Sequence, residues 1–329
     1  MRSAAIKFLS VVFALLVIVD IFIGANLYLD RFKPVLPVPV TANTPALPPI
    51  PPTTLPTYNV TQATLPVLIL AEDYHPDGPG QVNGLALDEI LLLPDVYQPG
   101  LRAVYAAGLN QGNNAHAFSV LGDSTSEKTN FLSSFDTGPY NLGEYTYLQN
   151  TISHFQGSFA REDISIVRGL HSWSIFSDYW ADPARCEASE NILDCEFRTH
   201  RPGLLIIRLG SNDAGRSDLY DSNMRRVLEY CLERGVIPVL TTKADLFEGA
   251  DDTNNQILRS LAEEYDVPLW DFERLAITLP GRGLREDGVH LTGIYPLDYT
   301  LPEAFQTGYG MLNLSGLIVL DRILHEIMR

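Results

Sequence analysis

Basic residues are scarce in this chain: 23 Lys and Arg stand against 40 Asp and Glu, a formal charge of −17 at pH 7. Phosphate binding needs a concentrated basic face, and no cluster of Lys or Arg occurs anywhere along the sequence. A nucleic-acid partner is thereby excluded, and the acidic surface reads as a solubilising one. Cysteine is nearly absent too, with only Cys186, Cys195 and Cys231. No second Cys pair and no His pair stands at ligand spacing, which argues against a metal centre. No repeat of fixed period is present, so a solenoid is not expected.

The few cysteines still carry information. Cys186 and Cys195 bracket a polar stretch, 187–194, that reads as a surface loop. A disulfide closing roughly ten residues would remove unfolded-chain entropy worth about 2.7 kcal/mol, and an exported domain would keep it oxidised. Two free surface thiols are the alternative. Cys231 falls in an apparent helix at 218–234 and reads as an ordinary buried thiol.

Hydrophobic residues make up 46% of the 329 residues, enough for one large core or two modest ones. Segment 1–31 is set apart from that core. Two apolar runs, 8–19 and 21–29, are separated only by Asp20. An acid at mid-span costs about 2.5–3.5 kcal/mol, but roughly a dozen Leu, Ile, Val and Phe at about −0.3 to −0.6 each outweigh it. Segment 1–31 is therefore read as an uncleaved membrane anchor, with a cleaved signal peptide as the alternative; no small-x-small cleavage pattern stands at the expected place. Either way the large domain lies outside the cytoplasm, held to the membrane by the N-terminal helix only, or secreted if that segment is removed. Residues 32–66 form a linker rich in Pro, including Pro48-Pro49-Ile50-Pro51-Pro52, which favours extended geometry and builds no core. Residues 67–97 are a lead-in without an assigned role.

Beyond residue 98 short apolar runs alternate with helical stretches. That alternation predicts an α/β fold with a parallel sheet. Five strands are expected, at 117–121, 164–168, 204–209, 236–241 and 267–271. Helical patterns are expected at 145–155, 218–234, 253–265 and 312–328. Connections of that length cannot be hairpins, so the strands should run parallel with helices on both faces.

In such sheets reactive groups collect beyond the carboxyl ends of the strands. The first expected strand ends at Gly122-Asp123-Ser124, the second just before Gly169, and the third at Gly210-Ser211-Asn212-Asp213. A serine hydroxyl needs a base to take its proton and a third group to orient that base. Asp287-Gly288-Val289-His290 supplies both, three residues apart. Ser124 is then the nucleophile, with the Ser124 and Gly169 backbone N–H groups and the Asn212 amide as oxyanion donors. Gly143 and Gly157 also lie between the first and third motifs and remain alternatives to Gly169. Asp123 and Asp213 read as turn and network residues. His171, Trp173, Tyr179 and Trp180 could line an acyl pocket or simply pack, and His154 and His200 carry no partner signal.

These motifs, in this order, resemble the four sequence blocks of the SGNH (GDSL-type) hydrolases, over roughly residues 98–329. The surrounding phrases Val236-Ile237-Pro238-Val239-Leu240-Thr241 and Val267-Pro268-Leu269-Trp270 are similar to a bacterial branch whose members are often exported. The resemblance implies a flavodoxin-like three-layer sandwich of about five parallel strands, and esterase or lipase chemistry needing no cofactor and no metal. It also implies the triad Ser124, Asp287 and His290 and the hole built by Ser124, Gly169 and Asn212. One departure stands out: the first block continues Thr125-Ser126-Glu127 in place of Leu-Ser or Leu-Thr.

Competing hydrolase types fit less well. No Gly-x-Ser-x-Gly elbow occurs, as an α/β-hydrolase requires, and the Ser…Asp…His order differs from that of chymotrypsin-like and subtilisin-like proteases. The favoured substrates are acetyl or short-acyl esters of extracellular polysaccharide, with lipid esters second. The alternative function is an exported, non-catalytic glycan- or lipid-binding protein on the same fold. Oligomeric state is left open.

Overall fold

Four of the five expected apolar runs lie side by side in the computed structural model, which describes residues 78–329. The segments 1–31 and 32–66 and the first part of 67–97 fall outside the described residues. In the main sheet, β1 (Leu91–Leu92), β2 (Asn114–Gly122), β3 (Pro202–Arg208), β4 (Ile237–Thr241) and β5 (Leu269–Trp270) are arranged in the order β1-β5-β4-β3-β2. Strands β2 to β5 are mutually parallel, with Val120 opposite Ile206 and Ile206 opposite Val239. Every residue of β3 is buried. A continuous apolar run rather than an alternating one is what burial on both faces requires.

The α-helices of six or more residues among those described are α1 (Gln98–Asn110), α2 (Gln149–His154), α3 (Ile192–His200), α4 (Ser217–Glu233), α5 (Thr253–Glu264), α6 (Phe272–Ile277) and α7 (Gly308–Glu326). They lie on both sides of the sheet, giving the three-layer α/β arrangement. In α4 the buried residues Tyr220, Met224, Val227, Leu228 and Cys231 form one apolar stripe at helical spacing. The expected helix at 145–155 is shorter than its pattern: Gly143–Leu148 is a 3₁₀ segment broken at Tyr145, and only α2 is regular. Among the described residues no helix is long and apolar enough to cross a membrane.

Two strand expectations need correction. Residues 164–168 do not form a strand; a single parallel bridge joins Ile166 to Gly122. Side chains replace the missing ladder there. Asp163 Oδ1 accepts from Val120 N at 3.1 Å, Ser165 Oγ donates to Val120 O at 2.7 Å, and Glu196 on α3 accepts from Ile164 N at 2.7 Å. The edge of β2 is satisfied without a second regular strand. The fifth strand is instead β1, inside the lead-in, and it runs antiparallel to β5. Val82, Leu87, Ile90 and Leu91 join the same core as the rest, so the packed domain reaches back beyond residue 98.

With 164–168 counted as a reduced strand, the spatial order is 164–168, β2, β3, β4, β5, the flavodoxin-like arrangement. Strand order reverses between β2 and β3, and the crevice at that switch point is where such sheets bind ligands.

Cys186 and Cys195 form a disulfide with Cα atoms 5.3 Å apart. The second cysteine is not in a loop: α3 starts at Ile192, capped by Asn191 Oδ1, which accepts from the N–H groups of Leu193 and Asp194. Glu190 lies close to both sulfurs, but the bond between them removes the thiolates that a metal would need. Cys231 is free and buried, and burial raises its thiol well above the ordinary range.

Candidate active site

The turn after β2 is shaped by what lies beneath it. A Cβ on Gly122 would stand 2.4 Å from Ser126 Oγ, so glycine lets the chain fold back tightly into the 3₁₀ turn Ser124–Ser126. Asp123 anchors that turn: its Oδ1 accepts from Thr125 N at 2.9 Å and Thr125 Oγ1 at 2.7 Å. Its Oδ2 lies 2.8 Å from Lys243 Nζ. Burial opposes ionisation of Asp123, but the Lys243 ammonium and the Thr125 bonds outweigh it and hold the carboxyl below its ordinary value.

Ser124 projects from this turn toward a loop 166 residues away in sequence, and its Oγ lies 3.2 Å from His290 Nε2. His290 Nδ1 is 2.9 Å from Asp287 Oδ2. The other oxygen of Asp287 accepts from the N–H groups of Val289 and His290, each at 2.9 Å. Those two backbone bonds, then the imidazole, hold the Asp287 carboxyl at about 2. A charged acceptor at Nδ1 places the imidazole proton there and leaves Nε2 as acceptor for the serine proton. The loop is braced from behind, where Arg285 N donates to His290 O at 2.7 Å and Leu284 bridges to Leu291.

The third group of residues arrives from the end of β3. Asn212 Nδ2 donates to Leu170 O at 3.2 Å, tying the turn after β3 to the segment that follows Gly169. An amide carries two N–H donors, so one remains for a ligand. Asp213 makes the same tie more strongly: it accepts from Ser172 N at 3.0 and 3.1 Å and from Ser172 Oγ at 2.7 Å. Gly169 itself sits at φ +72°, a conformation that favours glycine, with open space where a Cβ would be. Among the described residues the N–H groups of Ser124 and Gly169 donate to no acceptor. Unspent N–H groups of this kind can receive developing negative charge on an oxygen.

The structure thus brings together Ser124, Asp287 and His290, and links Asn212 to the Gly169 segment. It assigns distinct jobs to the unusual Thr125-Ser126-Glu127: Thr125 binds Asp123, Ser126 fills the space over Gly122, and Glu127 pairs with Arg168 next to Gly169. Trp173 is 53% exposed, its ring stacked 5.2 Å from that of His171. Tyr179 is also exposed, whereas Trp180 packs against the core. His154 Nε2 and His200 Nε2 reach the carbonyls of Ala115 and Phe118, both on β2 before its carboxyl end.

Residues the sequence reading passed over complete the surroundings. Lys243 and Asp245 follow β4, and Ser211 Oγ donates to Asp245 Oδ2 at 2.8 Å. Arg208, the last residue of β3, is buried with its guanidinium 5.4 Å from the Phe131 ring and 5.8 Å from the Phe272 ring. The rule that found Ser124 and Asn212, polar residues just past a strand end, also points to Lys243 and Asp245.

No family model matches the chain, and no curated protein does. Solved structures do. An acetyl xylan esterase from Geobacillus stearothermophilus is 15% identical, aligns over 63% of this chain and 95% of its own, and gives a TM-score of 0.42. A GDSL-like lipase from Bacteroides thetaiotaomicron is 15% identical over 68% of this chain and 98% of its own, with a TM-score of 0.38.

Proposed function

We propose that this chain is a serine esterase of the SGNH type that hydrolyses carboxylic esters through an acyl-enzyme on Ser124. The observation that carries the reading is the relay Asp287–His290–Ser124, with contacts of 2.9 and 3.2 Å. His290 Nε2 takes the proton as Ser124 Oγ attacks the ester carbonyl, and the imidazolium formed is stabilised by Asp287. The carbonyl oxygen becomes negative and is received by the N–H groups of Ser124 and Gly169 and the free N–H of Asn212. Collapse expels the alcohol, protonated by His290, and water activated by the same base then releases the acid and frees Ser124. None of these steps calls on a cofactor or a metal.

The favoured substrates are acetyl or short-acyl esters of extracellular polysaccharide, with lipid esters second. Trp173 supports the first: an exposed indole on a segment bolted to Asp213 through Ser172 offers a flat face to a sugar ring. A disulfide fits an oxidising compartment, in keeping with a domain exported and held by its N-terminal segment.

The test is hydrolysis of p-nitrophenyl acetate by the full chain, followed by a panel of acetylated oligosaccharides and longer acyl esters. Ser124→Ala should lower kcat by about 10⁴–10⁶ with the fold intact. Turnover unaffected by that change, or binding of acetylated glycan without any turnover in the wild type, would overturn the reading, the second result in favour of a non-catalytic binding protein.

A further inference from the structure

Lys243 stands one residue past Thr242, where β4 has ended, and is 4% exposed. Its Nζ lies 2.8 Å from Asp123 Oδ2 and donates to Thr125 Oγ1 at 3.1 Å, gripping the residues on either side of Ser124. Its own backbone is clamped: Lys243 N donates to Asn255 Oδ1 and Asn255 Nδ2 donates to Lys243 O, both at 2.8 Å. Asn255 on α5 is held in turn by Asp252, at 2.8 and 3.0 Å. A chain of bonds therefore runs from α5 through Lys243 to the nucleophile turn.

We propose that Lys243 is a positioning residue for the esterase reaction: its ammonium, bonded to both Asp123 and Thr125, fixes the turn that aims Ser124 Oγ at His290. The role rests on the esterase reading above. A buried ion pair contributes little stability relative to an apolar pair of the same volume, so its value is in the geometry it specifies. Removing one partner is another matter, because the remaining charge is stranded.

The groups facing Asp123 decide what is stranded. They are Lys243 beyond β4, Arg208 on β3, Asp213 beyond β3, Tyr220 on α4 and Tyr309 on α7. Asp245 and Glu248 lie on the Lys243 side. Arg208 interacts with Asp123 only through its field, its guanidinium lying between two phenylalanine rings. Lys243 is the cation hydrogen-bonded to Asp123 among the described residues. In the wild type the Asp123 carboxyl is held down, so its contribution to stability is present above the unfolded value and lost as pH falls through the folded one. Without Lys243 burial prevails and the carboxyl moves up. The sign then reverses: the variant is least impaired at low pH and loses stability and turnover as pH rises, when a buried anion without its hydrogen-bonded cation must form.

The experiment measures kcat, KM and thermal midpoint across pH for the full chain and for Lys243→Met, Lys243→Arg and the double variant Lys243→Met/Asp123→Asn. A displaced reacting group costs up to about 10²-fold, so Lys243→Met should lose about 10–100-fold in kcat with KM within about twofold, the loss deepening toward alkaline pH. Lys243→Arg, which keeps the charge, should recover part of kcat and the flat profile. The double variant should lose the alkaline drop in thermal midpoint because no carboxylate remains to strand. If Lys243→Met does not fold, Lys243→Gln, polar but uncharged, carries the same comparison. Lys243→Met with wild-type kcat, or with a defect that lies in KM alone or is independent of pH, overturns the proposal. Esterase activity absent from the wild type would instead remove the esterase reading itself.

Discussion

Ser124 and Asn212 leave the ends of two buried strands, whereas Asp287 and His290 stand on a loop with side chains 49% and 39% exposed. The first pair is positioned by residues far away in sequence: Lys243 for the Ser124 turn, Leu170 for Asn212. The second pair is positioned within its own loop, through bonds of three residues or fewer between its members and a brace from Arg285 N to His290 O. On the proposed esterase reading, the contrast matches two chemical tasks. Oxyanion donors work by being fixed before charge develops, while a base must accept a proton, hold it and deliver it to a leaving group. A locally closed loop can do the second without disturbing the first.

That contrast breaks hardest at Asp287. Asp287→Asn keeps the shape of the loop but removes the charge that orients His290, and kcat should fall by about 10³–10⁴. The carboxyl is held at about 2, its backbone donors being the largest cause. It therefore remains charged through the acidic range and should add no break of its own to the kcat/KM profile until close to pH 2. A mildly acidic break that Asp287→Asn removes would show that the exposed pair is less well ordered than its hydrogen bonds indicate.

On the buried side, Asn212→Ala should cost about 10²–10³ in kcat, the usual effect of one oxyanion donor. KM should change little, because the donor matters most when the oxygen is charged. A loss under tenfold would confine Asn212 to its bond with Leu170. The disulfide sharpens the contrast from a distance. Cys195 sits beside Glu196, whose carboxylate holds Ile164 N in the segment that leads to Gly169. Replacing both Cys186 and Cys195 by Ser should lower stability by about 2–3 kcal/mol, read as a shifted denaturation midpoint, with kcat within about twofold of wild type. A large kcat loss in a folded double variant would mean that the Gly169 donor depends on that remote brace.

The same division between local and distant determinants explains which parts were legible in the sequence. The strands β3 and β4 announce themselves as apolar runs because burial on both faces leaves no alternation to confuse. The Asp287–His290 pair is visible because its geometry is set within four residues. Segment 164–168 misleads: Ile-Ser-Ile-Val-Arg has strand composition, yet Asp163 just before it and Ser165 within it satisfy the edge of β2 with side chains. A two-residue antiparallel strand such as β1 has no periodicity to detect. Lys243 is marked by its place just past a strand end, but its burial is not legible locally, since its partner is an acid 120 residues earlier. Arg208 is similar, its charge being accommodated by Phe131 and Phe272, which come from different parts of the chain.

The smallest expected effect lies on the rim, where Trp173 combines the properties of both halves. Its ring is exposed like His290, yet its segment is fixed to the buried Asp213 through Ser172. The His171 ring, tilted only 22° from it, stacks against the indole, which is still 53% exposed. An aromatic contact of this kind is worth about 0.5–1.5 kcal/mol, so Trp173→Ala should raise KM for acetylated oligosaccharides by about 3–10-fold. The same variant should hydrolyse p-nitrophenyl acetate almost normally, because acetate reaches the donors without touching the rim. Equal losses on both substrates would mean that Trp173 supports the Gly169 segment and does not contact the alcohol. A loss only on long acyl esters would place the acyl chain there and move lipid esters ahead of polysaccharide.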